Sequence, residues 1–134
     1  MDITNADDVY LKKYIAESKQ KAIDADNKVP GAELSKDDRF ELLEQNLSRL
    51  ITHNKLQTNE KIIHDLGENI IYICSHFMRT PGTIEPEERV KYLHALENAE
   101  THLYHENNLS LAGAPVTIMK QYIAGRIEKE QFCV

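Results

Sequence analysis

Nine apolar residues fall in the short stretch from 62 to 78: Ile62, Ile63, Leu66, Ile70, Ile71, Ile73, Cys74, Phe77 and Met78. At 100° per residue they cover about half the circumference of a helix. Lys61, His64, Asp65, Glu68, Asn69, Ser75 and His76 cover the other half. The stretch is also rich in β-branched and aromatic side chains, which a strand would accept. Strand alternation, however, would throw the adjacent Ile70 and Ile71 to opposite faces, and the helical period keeps them together. An apolar face this wide fits a helix that touches most of the other elements. Burying each large aliphatic side chain is worth about 1.5–3 kcal/mol, so this helix is expected to dominate the core.

Four further segments carry the same period. The first is predicted from about Asn5 to Asp26, with Leu11, Tyr14, Ile15, Ser18, Ala22 and Ala25 on one arc. Val9, Ala16 and Ile23 form a second, thinner stripe, and Val29-Pro30-Gly31 stops the helix. The next opens on Ser35-Lys36-Asp37-Asp38, a capping-box pattern with Asp in place of Glu. Phe40, Leu43, Leu47, Leu50 and Ile51 share its inner face, Leu42 points nearly the other way, and a polar link near 53–57 follows. Pro86, with Glu87 and Glu88 behind it, suits the first turn of a helix predicted to reach Glu106. Its inner arc holds Leu93, Leu96, Leu103 and Tyr104, with Glu100 in the middle. A last helix is predicted from Pro115 to about Gln131, burying Val116, Met119, Tyr122, Ile123 and Ile127. Short links between such segments predict one all-α domain over residues 1–134, a compact bundle of four to five helices, mostly antiparallel.

The chain has 22 acidic and 16 basic residues among 134, a formal charge of −6. The acids are spread along the whole length and no stretch concentrates Lys or Arg, so the footprint of a nucleic-acid binder is missing. The same spread argues against an anionic membrane surface, and no run approaches the ~18 apolar residues of a membrane span. Asp2, Asp7 and Asp8 stand where a signal peptide would be basic and then apolar. Two Cys, Cys74 and Cys133, fit a reducing compartment. A cytoplasmic location is the expectation.

Three constellations invite a chemical reading. His94, His102 and His105 fall on the predicted fourth helix, but His94 and His105 lie about 16 Å apart along it. Only His102 with His105 or Glu106 has ligand spacing, and two ligands fall short of the three that a catalytic zinc takes from protein. No metal and no cofactor is therefore expected. Arg89-Val90-Lys91-Tyr92-Leu93-His94 resembles the Arg-x4-His motif of HEPN ribonucleases, dimeric helical bundles. That resemblance implies Arg89 and His94 positioning and protonating a scissile phosphate, over six residues of the chain. Val90 stands where a polar residue often follows the Arg, and five residues on an unbroken helix separate the two side chains by roughly 140°. His64-Asp65-Leu66-Gly67 resembles the phosphate-accepting helix of histidine phosphotransfer domains, which carry a Lys between the Leu and the Gly that is missing here. Gly67 also fits a close helix approach.

Glu100, a carboxylate on a Leu arc, requires either a partner from another helix or an open helix edge. No nucleophile lies beside a candidate base, and no phosphate-binding glycine loop is present. The residues therefore predict a small acidic, non-enzymatic protein-binding module acting through a helical face, as inhibitor, immunity protein, chaperone or adaptor. Its predicted contact residues are the apolar ones off the main arcs: Val9, Ala16, Ile23, Leu42 and Tyr72. The partner is another protein, with neither nucleic acid nor membrane, and a homodimer is compatible with the sequence. The alternatives are the HEPN-like ribonuclease and a metal-responsive bundle using His102 and His105.

Overall fold

The structure, a computed structural model, describes residues 3–56, 59–77, 85–105, 108–109 and 111–125. It is the expected all-α bundle of four to five helices. The helices are α1 (Ile3–Asp26), α2 (Lys36–Leu56), α3 (Glu60–Phe77), α4 (Pro86–Thr101) and α5 (Ala114–Ile123). Between α4 and α5 the chain makes a two-residue antiparallel ladder, β1 (Tyr104–His105) with β2 (Asn108–Leu109), and one 3-10 turn at Leu111–Gly113.

α3 has the central place its apolar face predicted. It packs against α1, α2 and α5, while α2 and α5 each also pack against α4. The helices α2, α3, α5 and α4 thus close a ring, and α1 lies outside that ring on α3. The interior is aliphatic: Leu43, Leu47 and Leu50 from α2, Ile62, Leu66, Ile70 and Ile73 from α3, Leu96 from α4, and Val116 and Met119 from α5. α3 gives the most of these, as expected for the helix with the widest apolar face. Consecutive helices α2 and α3, like α4 and α5, form hairpins. α2 and α4 instead run in the same direction, with Arg39 beside Glu88 at their starts and Lys55 beside His102 near their ends.

Local signals set most boundaries. The backbone N–H of Asp38 donates to Ser35 Oγ at 3.1 Å, so Ser35 caps α2 as expected. α2 continues to Leu56, through the stretch expected as a link. Asn59 caps α3, its Oδ1 accepting from the N–H groups of Lys61 at 2.9 Å and Ile62 at 3.4 Å. α1 ends in a Schellman turn: the N–H of Val29 donates to the carbonyl of Asp24 and that of Lys28 to the carbonyl of Ala25. Lys28 takes the left-handed position at φ +56°, where glycine is the usual residue.

Three expectations need correction. α4 stops at Thr101 rather than reaching Glu106, because the N–H groups of His102 and Leu103 tighten onto the carbonyls of Ala99 and Glu100 and lead into the ladder. Its buried arc is Glu88, Tyr92, Leu96, Ala99 and Leu103, rotated from the expected one, with Leu93 only half-buried. Asn69 and Ser75, read as part of the solvated face of α3, are buried, Asn69 because α1 packs there. The predicted end of the last helix, Ile127–Gln131, and Cys133 lie outside the described residues.

Candidate functional site

The five predicted contact residues do not form one surface. Val9 is 69% exposed and Ala16 is also exposed, both on the outer side of α1. Tyr10, one residue on, is 61% exposed. Ile23 and Tyr72 are half-buried, and the ring of Tyr72 lies 5.0 Å beneath the Lys19 ammonium of α1. Leu42 is 6% exposed and belongs to the core, which removes it from any contact surface. The reason is that α2 faces both the ring interior and α1, so it needs an apolar residue on each side.

The inner side of α1 is unlike the rest of the core. Of its described side chains, Leu11, Ser18 and Ala22 are buried, and only Leu11 is a large aliphatic. Ser18 meets Asn46 of α2 and Asn69 of α3 in a buried polar cluster. Asn46 Nδ2 donates to Ser18 Oγ at 2.8 Å and to its own helix at the Leu42 carbonyl, also 2.8 Å. Asn69 Nδ2 donates to Asn46 Oδ1 at 2.8 Å and approaches Ser18 Oγ at 3.4 Å. Asn69 Oδ1 is buried without a hydrogen-bond partner. On one flank the Arg49 guanidinium lies 3.8 Å over the Tyr14 ring, and on the other Lys19 covers Tyr72. Ser18 lies on the inner arc of α1 that the sequence predicts, but Asn46 and Asn69 carry no apolar signal, so sequence reasoning missed the cluster as a unit.

Glu100 is partnered. It is 16% exposed, accepts from Thr117 Oγ1 at 2.6 Å and from Lys120 Nζ at 3.0 Å, and so ties α4 to α5. The Thr117 hydrogen bond, helped by Lys120, outweighs burial and holds its carboxyl below the usual carboxylate range. A second buried carboxylate, Glu88, accepts from one guanidinium nitrogen of Arg39 at 3.1 and 3.3 Å, joining α2 to α4. Both pairs are interhelical struts. Cys74 is fully buried, and burial pushes its thiol well above the ordinary range, which makes it an unreactive core residue. Burial does the same to the Tyr92 hydroxyl beneath the Phe40 ring.

The chemical constellations fare as follows. His102 follows the last residue of α4 and His105 lies in β1, so the two no longer share a helical turn; Glu106 lies outside the described residues. Arg89 is half-buried and His94 exposed on the unbroken α4, so the helix holds them on different sides. His64 is solvated, with Nδ1 3.8 Å from Asp65 and Nε2 3.6 Å from Glu68 on the same exposed face of α3. Its two ring nitrogens thus face different carboxylates. Gly67 is explained by packing, since a Cβ there would stand 2.8 Å from Cγ of Pro115. Two open hollows are prominent. One, of about 440 Å³, lies between the end of α1 and the start of α2, and the other, of about 350 Å³, lies between α2 and α4. The described carboxylates lining the first do not converge at metal-ligand distance. Among the described residues no helix is long and apolar enough to cross a membrane. Comparison of the chain with protein-family models, characterised proteins and solved structures finds no match.

Proposed function

We propose that this chain is a non-enzymatic protein-binding module whose contact surface is the outer face of α1. The observation that carries the reading is the exposure of Val9 and, two turns along on the same line, Ala16, with Tyr10 exposed on the flank, on a helix outside the closed ring. Lone exposed apolar residues are ordinary; two of them in line on a helix that buries one large aliphatic among its described residues make a face that a partner helix or groove would cover. The formal charge of −6 steers such a module toward basic proteins and away from nucleic acid. Roles as inhibitor, immunity protein, chaperone or adaptor all use a surface of this kind.

Affinity capture from the organism that encodes the chain tests the reading. Wild type is expected to retain a stoichiometric protein partner that the Val9→Glu/Ala16→Glu variant loses, with the helical content of the two chains equal. Equal retention by both, or no partner beside turnover of RNA that Arg89→Ala abolishes, contradicts it.

A further inference from the structure

We infer that the hollow between the end of α1 and the start of α2 receives a basic segment of a protein partner. The hollow measures about 440 Å³ and is walled by both helices and by the link between them. Asp24 of α1, Glu33 of the link, and Asp38 and Glu41 of α2 bring four carboxylates to it, and Lys21 brings one ammonium. Four less one leaves a net −3 in one concavity, half the formal −6 of the whole chain. A cleft lined by one sign of charge focuses its field on whatever enters, so this is where a cationic group is drawn in and held.

The charge is not answered within the chain. Glu88 and Glu100, the carboxylates set between helices, have Arg39 and Lys120 as partners. Among the described residues none of the four around the hollow is paired with a Lys or Arg. Two are held instead by glutamines of their own helices: Gln20 Nε2 donates to Asp24 Oδ1 at 2.8 Å, and Gln45 Nε2 to Glu41 Oε1 at 3.1 Å. The four do not converge at metal-ligand distance, which suits cations spaced along a peptide rather than one bare ion. Leu34 and Leu42, more deeply set, add apolar lining. Lys and Arg side chains match both features, with a methylene stem for the leucines and a charged head for the carboxylates. The inference rests on the proposed function only for the partner being a protein, and adds a second surface to the outer face of α1. A peptide assay needs no native partner, so its failure is distinguishable from that of affinity capture.

The probe is a short fluorescein-labelled peptide of alternating Arg and Ala, titrated with the full chain at low salt and read by fluorescence anisotropy. Glu33→Gln/Asp38→Asn/Glu41→Gln is expected to weaken binding about ten-fold, with wild-type helicity by circular dichroism. Glu60→Gln/Glu87→Gln/Glu97→Gln removes as many exposed carboxylates from α3 and α4. It is expected to weaken binding less than about two-fold, since charges beyond a Debye length are largely screened. Equal weakening by the two variants shows that net charge alone attracts the peptide and overturns the inference. A peptide that wild type does not bind, or that the first variant binds as wild type does, also overturns it. Should the first variant lose helicity, Glu33→Gln alone decides, because Glu33 is exposed in the link and belongs to no helix. A loss of about two-fold then supports the inference, and unchanged affinity overturns it.

Discussion

Gly67 packs its bare Cα against the ring of Pro115, where α3 meets the start of α5. On an open helix surface, replacing glycine by alanine stabilises by about 0.5–1 kcal/mol. Here the added methyl would stand 2.8 Å from Pro115 Cγ, and a proline ring has little freedom to retreat. Overpacking of this kind costs about 1–3 kcal/mol. Gly67→Ala is therefore expected to lower stability by about 1 kcal/mol, measured by denaturant unfolding, and a gain in stability would show that α3 and α5 do not meet there. The tripeptide around His64 thus has its glycine for packing. His64 itself stays solvated between two carboxylates of its own helix.

At the scale of elements, legibility in the sequence followed the chemistry of each interface. α2 and α3 bury aliphatic residues at helical spacing, and their caps, Ser35 and Asn59, sit directly before their first turns. Those signals are local to the chain. The end of α4 was not legible, because Leu103 and Tyr104 carry the helical spacing of the arc past the point where the chain turns into the ladder. The seat of α1 was legible only in part: Ser18 falls on the inner arc of the first helix, but Asn69 reads as part of a solvated face until α1 packs on it. Leu42 was misread as outward-facing because one helix periodicity cannot reveal two buried neighbours.

The α4–α5 hairpin has a pH signature. The hydrogen bond from Thr117, with Lys120 beside it, lowers the carboxyl of Glu100. A group whose folded pKa is depressed contributes stability that is fully present above its unfolded pKa and is lost as pH falls through the folded value. The Glu100–Lys120 contribution is therefore intact at neutral pH and declines on acidification below about 4.5, the ordinary value for the group. Glu100→Gln, which keeps an acceptor for Thr117 but loses the charge, is expected to cost about 1–2 kcal/mol at pH 7. That deficit should shrink as both proteins are titrated below pH 4.5, in unfolding curves recorded side by side. A deficit independent of pH would place the effect in packing instead.

At the scale of the whole molecule, a closed four-helix ring and an outer helix have different parts. The ring supplies the aliphatic core and the interhelical struts Arg39–Glu88 and Lys120–Glu100. α1 adds one large buried aliphatic among its described residues, a polar seat and an exposed stripe. Stability in such a structure is distributed unevenly, and an element with few buried apolar contacts opens without the rest. The same unevenness goes with a helix that presents Val9 and Ala16 on its outer side. Native-state hydrogen exchange resolved along the chain tests this directly. The prediction is that amides from Leu11 to Ala25 exchange through a local opening well below the free energy of global unfolding, while those from Ile62 to Cys74 exchange only with the whole molecule. Amides of α1 and α3 exchanging at the same, global free energy would contradict it.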